Sequence, residues 1–287
     1  MHKKNDLLIR IEENYIRLSK GQKRIAEYIL ENYNKVAFMT ASVLGDIVGV
    51  SESTVVRFAN ALGYDGYPKL QKGLQESIKT KLTTVQRFEL SKENDPSENY
   101  IKKIMSYDIN NIKKTIDMLD EDLIKKIGDS IHSAKRVYIL GMRSSSVLAN
   151  YLGFYLNFIR EDVNIISIGV QDVFDYLFKI GEDDLLIAIS FPRYAKQTFE
   201  IVNFAKSRKA KLVGLTDSEL SPLYQLVDDC LIAKYNMNTF IDSLVAPMSL
   251  INALIISLSI ENKDSVEKNF NDLENLWNEY KIYNPNI

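Results

Sequence analysis

Residues 40–70 read TASVLGDIVGVSESTVVRFANALGYDGYPKL, and two short helices joined by a sharp turn account for the stretch. Thr40 is placed to cap a first helix through 44–48, because a hydroxyl there accepts from an amide of the first turn. Gly49 permits the turn, and Ser51 is placed to cap a second helix over 52–62. Gly63 and Gly66 stop that helix and shape the turn after it. At helical spacing Val55, Phe58, Ala59 and Leu62 share one face, while Ser53, Thr54, Arg57 and Asn60 share the opposite one. The pattern is helix-turn-helix. Its polar face offers small hydroxyls at the helix start, then a guanidinium and an amide one and two turns further on. Those groups match what base edges in a DNA major groove present. Ser51, Ser53, Thr54, Arg57 and Asn60 are the candidate DNA contacts, with Lys69, and Lys72 beyond it, placed for the phosphate backbone. An ordinary solvated helix face is the competing account of the same residues.

Outward from this stretch, residues 5–79 keep helical periodicity, so the first part of the chain is expected to be all-helical. From about residue 135 the pattern changes to short apolar runs: VYIL (137–140), VNIISI (163–168), DLLIAIS (184–190), KLVGLT (211–216) and DCLIA (229–233). Each is followed by a helical stretch, which predicts a doubly wound α/β domain with a five-stranded parallel sheet covered on both faces. KLTTVQRFELSKENDPSENY (81–100) is polar and holds Pro96, as a linker does. The expected organisation is a helix-turn-helix domain over 1–80, a linker over 81–104, and the α/β domain with its C-terminal helices over 105–287. Helices are expected from 100 to about 119, over 121–130, and at the end over 264–280, where Phe270, Leu273, Leu276 and Trp277 form a stripe suited to a core or a dimer interface.

Composition narrows the function classes. With 287 residues, 46% hydrophobic and 26% charged, the chain has the make-up of a globular protein of two domains. One cysteine, Cys230, allows no internal disulfide, and with only His2 and His132 there is no zinc-ligand spacing, so no metal site is expected. The N-terminus lacks the apolar run of an export signal, which makes the cytoplasm the expected location. LVAPMSLINALIISLSI (244–260) is apolar but interrupted by Asn252, serines and Pro247, and is short of a bilayer span; a buried helix is expected and no membrane partner. Net charge is -2, yet residues 1–80 hold 12 Lys/Arg against 9 Asp/Glu. The basic part is the one with the helix-turn-helix pattern.

The first strand run ends in Gly141, followed by MRSSSVLANYLGFYL. Strand, glycine turn, serines and helix should leave amides and hydroxyls at a helix N-terminus, where the dipole favours an anion such as phosphate. The third strand run ends in ISFPRYAKQT (189–198), a second polar turn. In a flavodoxin-like sheet of order 2-1-3-4-5, strands 1 and 3 are neighbours where the winding reverses, and ligands bind outside their carboxyl ends. Both turns converge there. Passive capping by Ser144 is the competing account of the serine run.

SKGQKRIAEYILEN together with SESTVVRFANALGYDGYPKL resembles the N-terminal domain of RpiR-type bacterial transcriptional regulators over about residues 5–79. In that family the domain is joined to a sugar isomerase (SIS) domain that binds phosphosugars. Residues 105–262 resemble such a domain, with TDSELSPLYQLVDDCLIA (216–233) matching its fourth-strand turn and fifth strand. The resemblance implies effector contacts from Gly141, Ser144, Ser145, Ser190 and Thr198. The chain departs from the SIS pattern where most members have a Ser-Gly pair: it reads Pro192-Arg193-Tyr194-Ala195. Arg193 offers a bidentate phosphate contact, Tyr194 a face for a sugar ring, and Arg143 a second guanidinium, whereas Ala195 has no hydroxyl.

The expected function is a DNA-binding regulator of sugar-metabolism genes that senses a phosphorylated sugar or amino sugar. Its partners would be a double-stranded DNA operator, that effector, and further copies of itself in a homodimer or tetramer. No cofactor and no catalytic residue is expected. Two alternatives stand beside it: a DNA-binding protein whose second domain only oligomerises, and a phosphosugar isomerase. The latter needs a base, and Glu200 and Glu219 have no recognisable partner, while His132 precedes the first strand, away from the turns.

Overall fold

The computed structural model describes residues 10–11, 14–78, 84–85, 87–88, 100–166, 173–235 and 241–283. It divides into two compact units, Met1–Leu90 and Ser91–Ile287. The expected linker falls largely outside the described residues, and helix is already present from Tyr100.

The first unit is built from α1 (Lys20–Val36), α2 (Ala41–Val48), α3 (Glu52–Ala61) and α4 (Tyr67–Ile78). Ser19 and Gln22 start α1 with reciprocal side-chain to backbone hydrogen bonds, and Thr40 starts α2 by accepting from the Val43 N–H at 3.2 Å. Gly49, at φ 68°, ends α2 in the left-handed conformation. The Arg24 guanidinium donates to the carbonyls of Val48 and Gly49 at that end, where the helix dipole favours a cation. Ile25, Ile29, Leu44, Val55, Phe58, Leu70 and Leu74 are fully buried and form the core. One expectation fails here. Ser51 stands at the N-cap position of α3 but makes no side-chain cap bond, because neighbouring hydroxyls take its Oγ.

The second unit opens with α5 (Tyr100–Ile116) and α6 (Glu121–Ser133). Strands β1 (Val137–Gly141), β2 (Val163–Ile166), β3 (Leu185–Ile189), β4 (Lys211–Thr216) and β5 (Asp229–Ile232) then form a parallel sheet of order β2-β1-β3-β4-β5. Between them come α7 (Ser145–Ile159), α8 (Val173–Leu177) and α9 (Lys196–Ser207), and the chain ends with α10 (Val245–Glu261) and α11 (Lys263–Glu279). β1 and β3 are buried throughout, which is why their sequences are continuous apolar runs. Alternation along them assigns the faces. Tyr138, Leu140, Leu186 and Ala188 pack in one cluster with Val173, Leu177, Ile201 and Ala205 of α8 and α9, whereas Ile139 lies beside Gly153 of α7.

The apolar segment at 244–260 is α10, which buries Leu250, Ile251, Leu254 and Leu258 and contacts α5, α6 and α7. Among the described residues no single helix is long and apolar enough to cross a membrane. The α11 stripe is only partly covered. Phe270 and Trp277 meet Phe158 of α7 at ring separations of 6.3 and 6.4 Å, while Leu276 is 48% exposed.

Close approach of helix to strand fixes where β1 ends and α7 begins. A Cβ on Gly141 would lie 2.4 Å from the Ser145 carbonyl oxygen and 2.8 Å from the Ala149 Cβ. Gly141→Ala should therefore push α7 off the strand end and destabilise this unit by about 1–3 kcal/mol. Differential scanning calorimetry of the full chain checks this; an unchanged transition would show that the approach is not required.

Candidate functional site

In the first unit the outer face of α3 holds a connected polar set. Ser51 Oγ lies 2.9 Å from both Ser53 Oγ and Thr54 Oγ1. Arg57 Nε donates to the Ser53 carbonyl at 3.2 Å and its Nη2 to Thr54 Oγ1 at 3.5 Å. Ser51, Ser53 and Arg57 are exposed and Thr54 half-buried, so the guanidinium is steadied against its own helix while remaining open to solvent. Asn60 does something the helical wheel does not suggest. Its Oδ1 accepts from the Gly66 N–H at 3.0 Å and so braces the turn into α4, which leaves its Nδ2 as the group for an outside partner. Lys69 and Lys72 are exposed on α4.

In the second unit the β1–β3 pairing runs to Gly141 opposite Ile189, so the turns after these two strands leave the sheet side by side. Ser145 and Ser190 are buried at 5% and 3% exposure, and Thr198, in the first turn of α9, at 1%. The Thr198 hydroxyl is buried with no hydrogen-bond partner among the described residues. An unsatisfied polar atom of this kind is costly unless something else supplies the bond. Arg143 and Arg193 are exposed, with φ of 56° and 67°. Positive φ at a non-glycine residue is strained, and such strain concentrates at ligand-binding turns.

The amides at the start of α7 differ from expectation. Ser144 is already in the right-handed helical conformation, so the chain winds directly into the helix. The N–H groups of Ser145, Ser146 and Val147 donate to the carbonyls of Met142, Arg143 and Ser144 at 3.1, 3.1 and 3.3 Å. Hydroxyls, rather than free amides, are what this turn offers. Ser144 makes no cap bond either; its Oγ donates at 3.4 Å to Asp242, which comes from the segment before α10.

Asp217, Thr216 and Ser221, which sequence reasoning missed, complete the edge of the site. The Tyr194 hydroxyl donates to Asp217 Oδ1 at 2.8 Å, and burial followed by the adjacent carboxylate holds that phenol well above its usual pKa. Tyr194 is thus anchored to the end of β4 rather than free to cover a ring. Asp217 itself is 6% exposed. Thr216 donates to the Ser190 carbonyl at 2.8 Å, and with its one proton committed it accepts from Ser221, 2.7 Å away. These bonds tie the ends of β3 and β4 together. The TDSELS run carried a visible signal for them, polar residues at and just beyond the end of an apolar strand.

Other candidate groups lie apart. His132 is in the last turn of α6, before β1 and at the opposite end of the strands. Glu200 pairs with Lys196 at 3.1 Å, and Glu219 is exposed. Among the described residues no three His, Cys, Asp or Glu side chains gather as for a metal ion. Cys230 is buried, which pushes its thiol up to about 12.

The two units define a class, a helix-turn-helix module followed by a doubly wound α/β domain with two polar turns side by side at its switch point. Family models agree: residues 5–81 match the helix-turn-helix domain of the rpiR family and residues 130–257 the SIS domain. The transcriptional regulator HexR of Pseudomonas aeruginosa is 27% identical over 229 residues, covering 79% of this chain and 78% of HexR. The sugar isomerase domain of an RpiR transcription factor from Sphaerobacter thermophilus is 22% identical with a TM-score of 0.59, over 62% of this chain and 99% of that one. The Vibrio vulnificus NanR protein, solved in complex with ManNAc-6P, is 24% identical with a TM-score of 0.55, over 94% and 98%. This chain belongs to the RpiR-type transcriptional regulators, with a helix-turn-helix domain followed by a SIS domain.

Proposed function

We propose that the protein reads a roughly palindromic operator through α3 and adjusts its DNA affinity in response to a phosphorylated sugar or amino sugar held at the carboxyl ends of β1 and β3. The observation that carries the effector half is the buried, unpartnered Thr198 hydroxyl beside the turns bearing Ser145 and Ser190. A phosphate ringed by hydroxyls would gain charge-assisted hydrogen bonds, and Arg143 and Arg193, exposed residues of the two turns, would supply its counter-charge. The NanR complex with ManNAc-6P lends the reading support from a similar fold. Gly141 contributes by its missing side chain rather than by a contact.

The protein acts as a regulator and not as an isomerase. Isomerisation needs a base within hydrogen-bond reach of the sugar carbon; Glu200, Glu219 and His132 are paired, exposed or at the wrong end of the strands, and Asp217 and Asp242 at the turns are engaged by the Tyr194 and Tyr235 hydroxyls. Two or four copies assemble, because one helix-turn-helix reads too few bases for useful specificity. An exposed apolar stripe on α5, Ile101, Met105, Ile109 and Ile116, each more than half exposed, suits such a contact. Work on DNA places it in the cytoplasm, with the DNA-binding and effector domains dividing between Leu90 and Ser91.

Arg57→Ala should weaken specific DNA binding by about 1–3 kcal/mol and alter base preference at one position, whereas Lys69→Ala should weaken all sequences about equally. Gel shifts with fragments from upstream of its own gene check both, and absence of any sequence preference at moderate salt would refute operator reading. For the effector, Ser145→Ala combined with Ser190→Ala should abolish the response to sugar phosphates while sparing effector-free DNA binding. Calorimetry with a panel of hexose and amino-sugar phosphates reads this directly. No binding by the wild type, or a full response in the double variant, would leave oligomerisation as the role of the second domain.

A further inference from the structure

Asp242 brings a negative charge to the turn where an effector phosphate is proposed to sit. The Ser144 hydroxyl donates to its Oδ2 at 3.4 Å and the Tyr235 hydroxyl to its Oδ1 at 2.5 Å. Ser144 stands at the N-cap position of α7 yet spends its hydroxyl on this carboxylate, 98 positions away in the chain. The positive end of a helix dipole favours a carboxylate for the same reason that it favours a phosphate. Two anions cannot share the place, since like charges in contact repel strongly. At 3.4 Å the Ser144 bond is long for two oxygens and correspondingly easy to exchange.

The next residue points the consequence elsewhere. The Ser243 hydroxyl donates to Asp108 Oδ1 at 2.5 Å, and Asp108 belongs to α5. Ser243 also accepts from the Val245 N–H at the start of α10, at 3.4 Å. Two consecutive side chains thus fasten one short segment to the ligand turn on one side and to α5 on the other. In the chain α5 is the first described helix of the second unit, which begins at Ser91 directly after the DNA-binding unit.

We propose that Asp242 is a built-in competitor of the effector phosphate. It holds Ser144 when the crevice is empty and is expelled when phosphate arrives, and its departure draws Ser243 away from Asp108 and loosens α5. The inference rests on the effector site proposed above and names how that site is regulated. Asp242 is half-buried and Asn matches its shape, so the substitution removes charge without disturbing the fold.

The test uses the full chain with inorganic phosphate as the probe, titrated by calorimetry into wild type, Asp242→Asn and Asp242→Ala. Both variants should bind phosphate about tenfold more tightly than wild type, a factor within the usual range of coupling between sites. Amide hydrogen exchange across α5 should rise when phosphate is added to wild type and be raised already in both variants without it. Ser243→Ala should likewise raise α5 exchange without phosphate and remove its response to phosphate. Equal phosphate affinity in wild type and variants would overturn the competition and leave the effector site standing. Tighter binding with α5 exchange unmoved would overturn the link to α5. Phosphate binding by neither wild type nor variants would remove the effector site and the competitor together.

Discussion

The parallel pairing of β1 with β3, from Val137 opposite Leu185 to Gly141 opposite Ile189, is the constraint on which the second unit depends. Because β1 also pairs with β2 on its other edge, the chain leaves β1 toward one face of the sheet and leaves β3 toward the other. The helices that follow β1 and β3 therefore lie on opposite faces of the sheet, the arrangement at which ligands generally bind outside the adjoining carboxyl ends. Burial holds the pairing in place. Both strands are fully covered, so a slip by one residue would exchange the cluster containing Tyr138 and Leu140 for the face that receives α7.

What the crevice presents is a contest between hydroxyls and carboxylates. Ser145, Ser190 and Thr198 bring hydroxyls, while Asp217 and Asp242 approach from the end of β4 and from the segment before α10. Asp217 is engaged by Tyr194, which stabilises a buried acid and fixes the Pro192-Arg193-Tyr194-Ala195 turn where the SIS pattern has Ser-Gly. A turn that keeps a phenol and an arginine in place of that pair gives up flexibility for a set shape. In the first unit, by contrast, the polar groups are held on an exposed surface. Arg57 is steadied by Ser53 and Thr54 on its own helix, so the proposed contact to DNA would cost less side-chain freedom.

Architecture was legible in the sequence because burial on two faces makes a parallel strand a short apolar run, and five such runs alternating with helices admit few folds. The first of the two helices around Gly49 was legible from capping chemistry at Thr40, and the second, α3, from its periodicity. Local competition was not. Ser51 gave its hydroxyl to Ser53 and Thr54, Asn60 turned to Gly66, and Ser144 took a helical conformation that consumed the amides expected to be free. Each outcome depends on which nearby acceptor wins by a small margin, and residue types do not decide that. Asp242 lay beyond reach for a different reason: only the fold brings it to Ser144.

The central claim is that the crevice above β1 and β3 and the outer face of α3 are energetically linked. Linkage requires that an effector which alters DNA affinity have its own affinity altered by DNA in the same proportion. The decisive measurement is calorimetry of a binding sugar phosphate with the full chain, free and saturated with operator DNA. The account predicts affinities that differ by the factor by which the effector shifts operator binding, about 5- to 150-fold in typical cases. An effector affinity that is the same with and without DNA would contradict it.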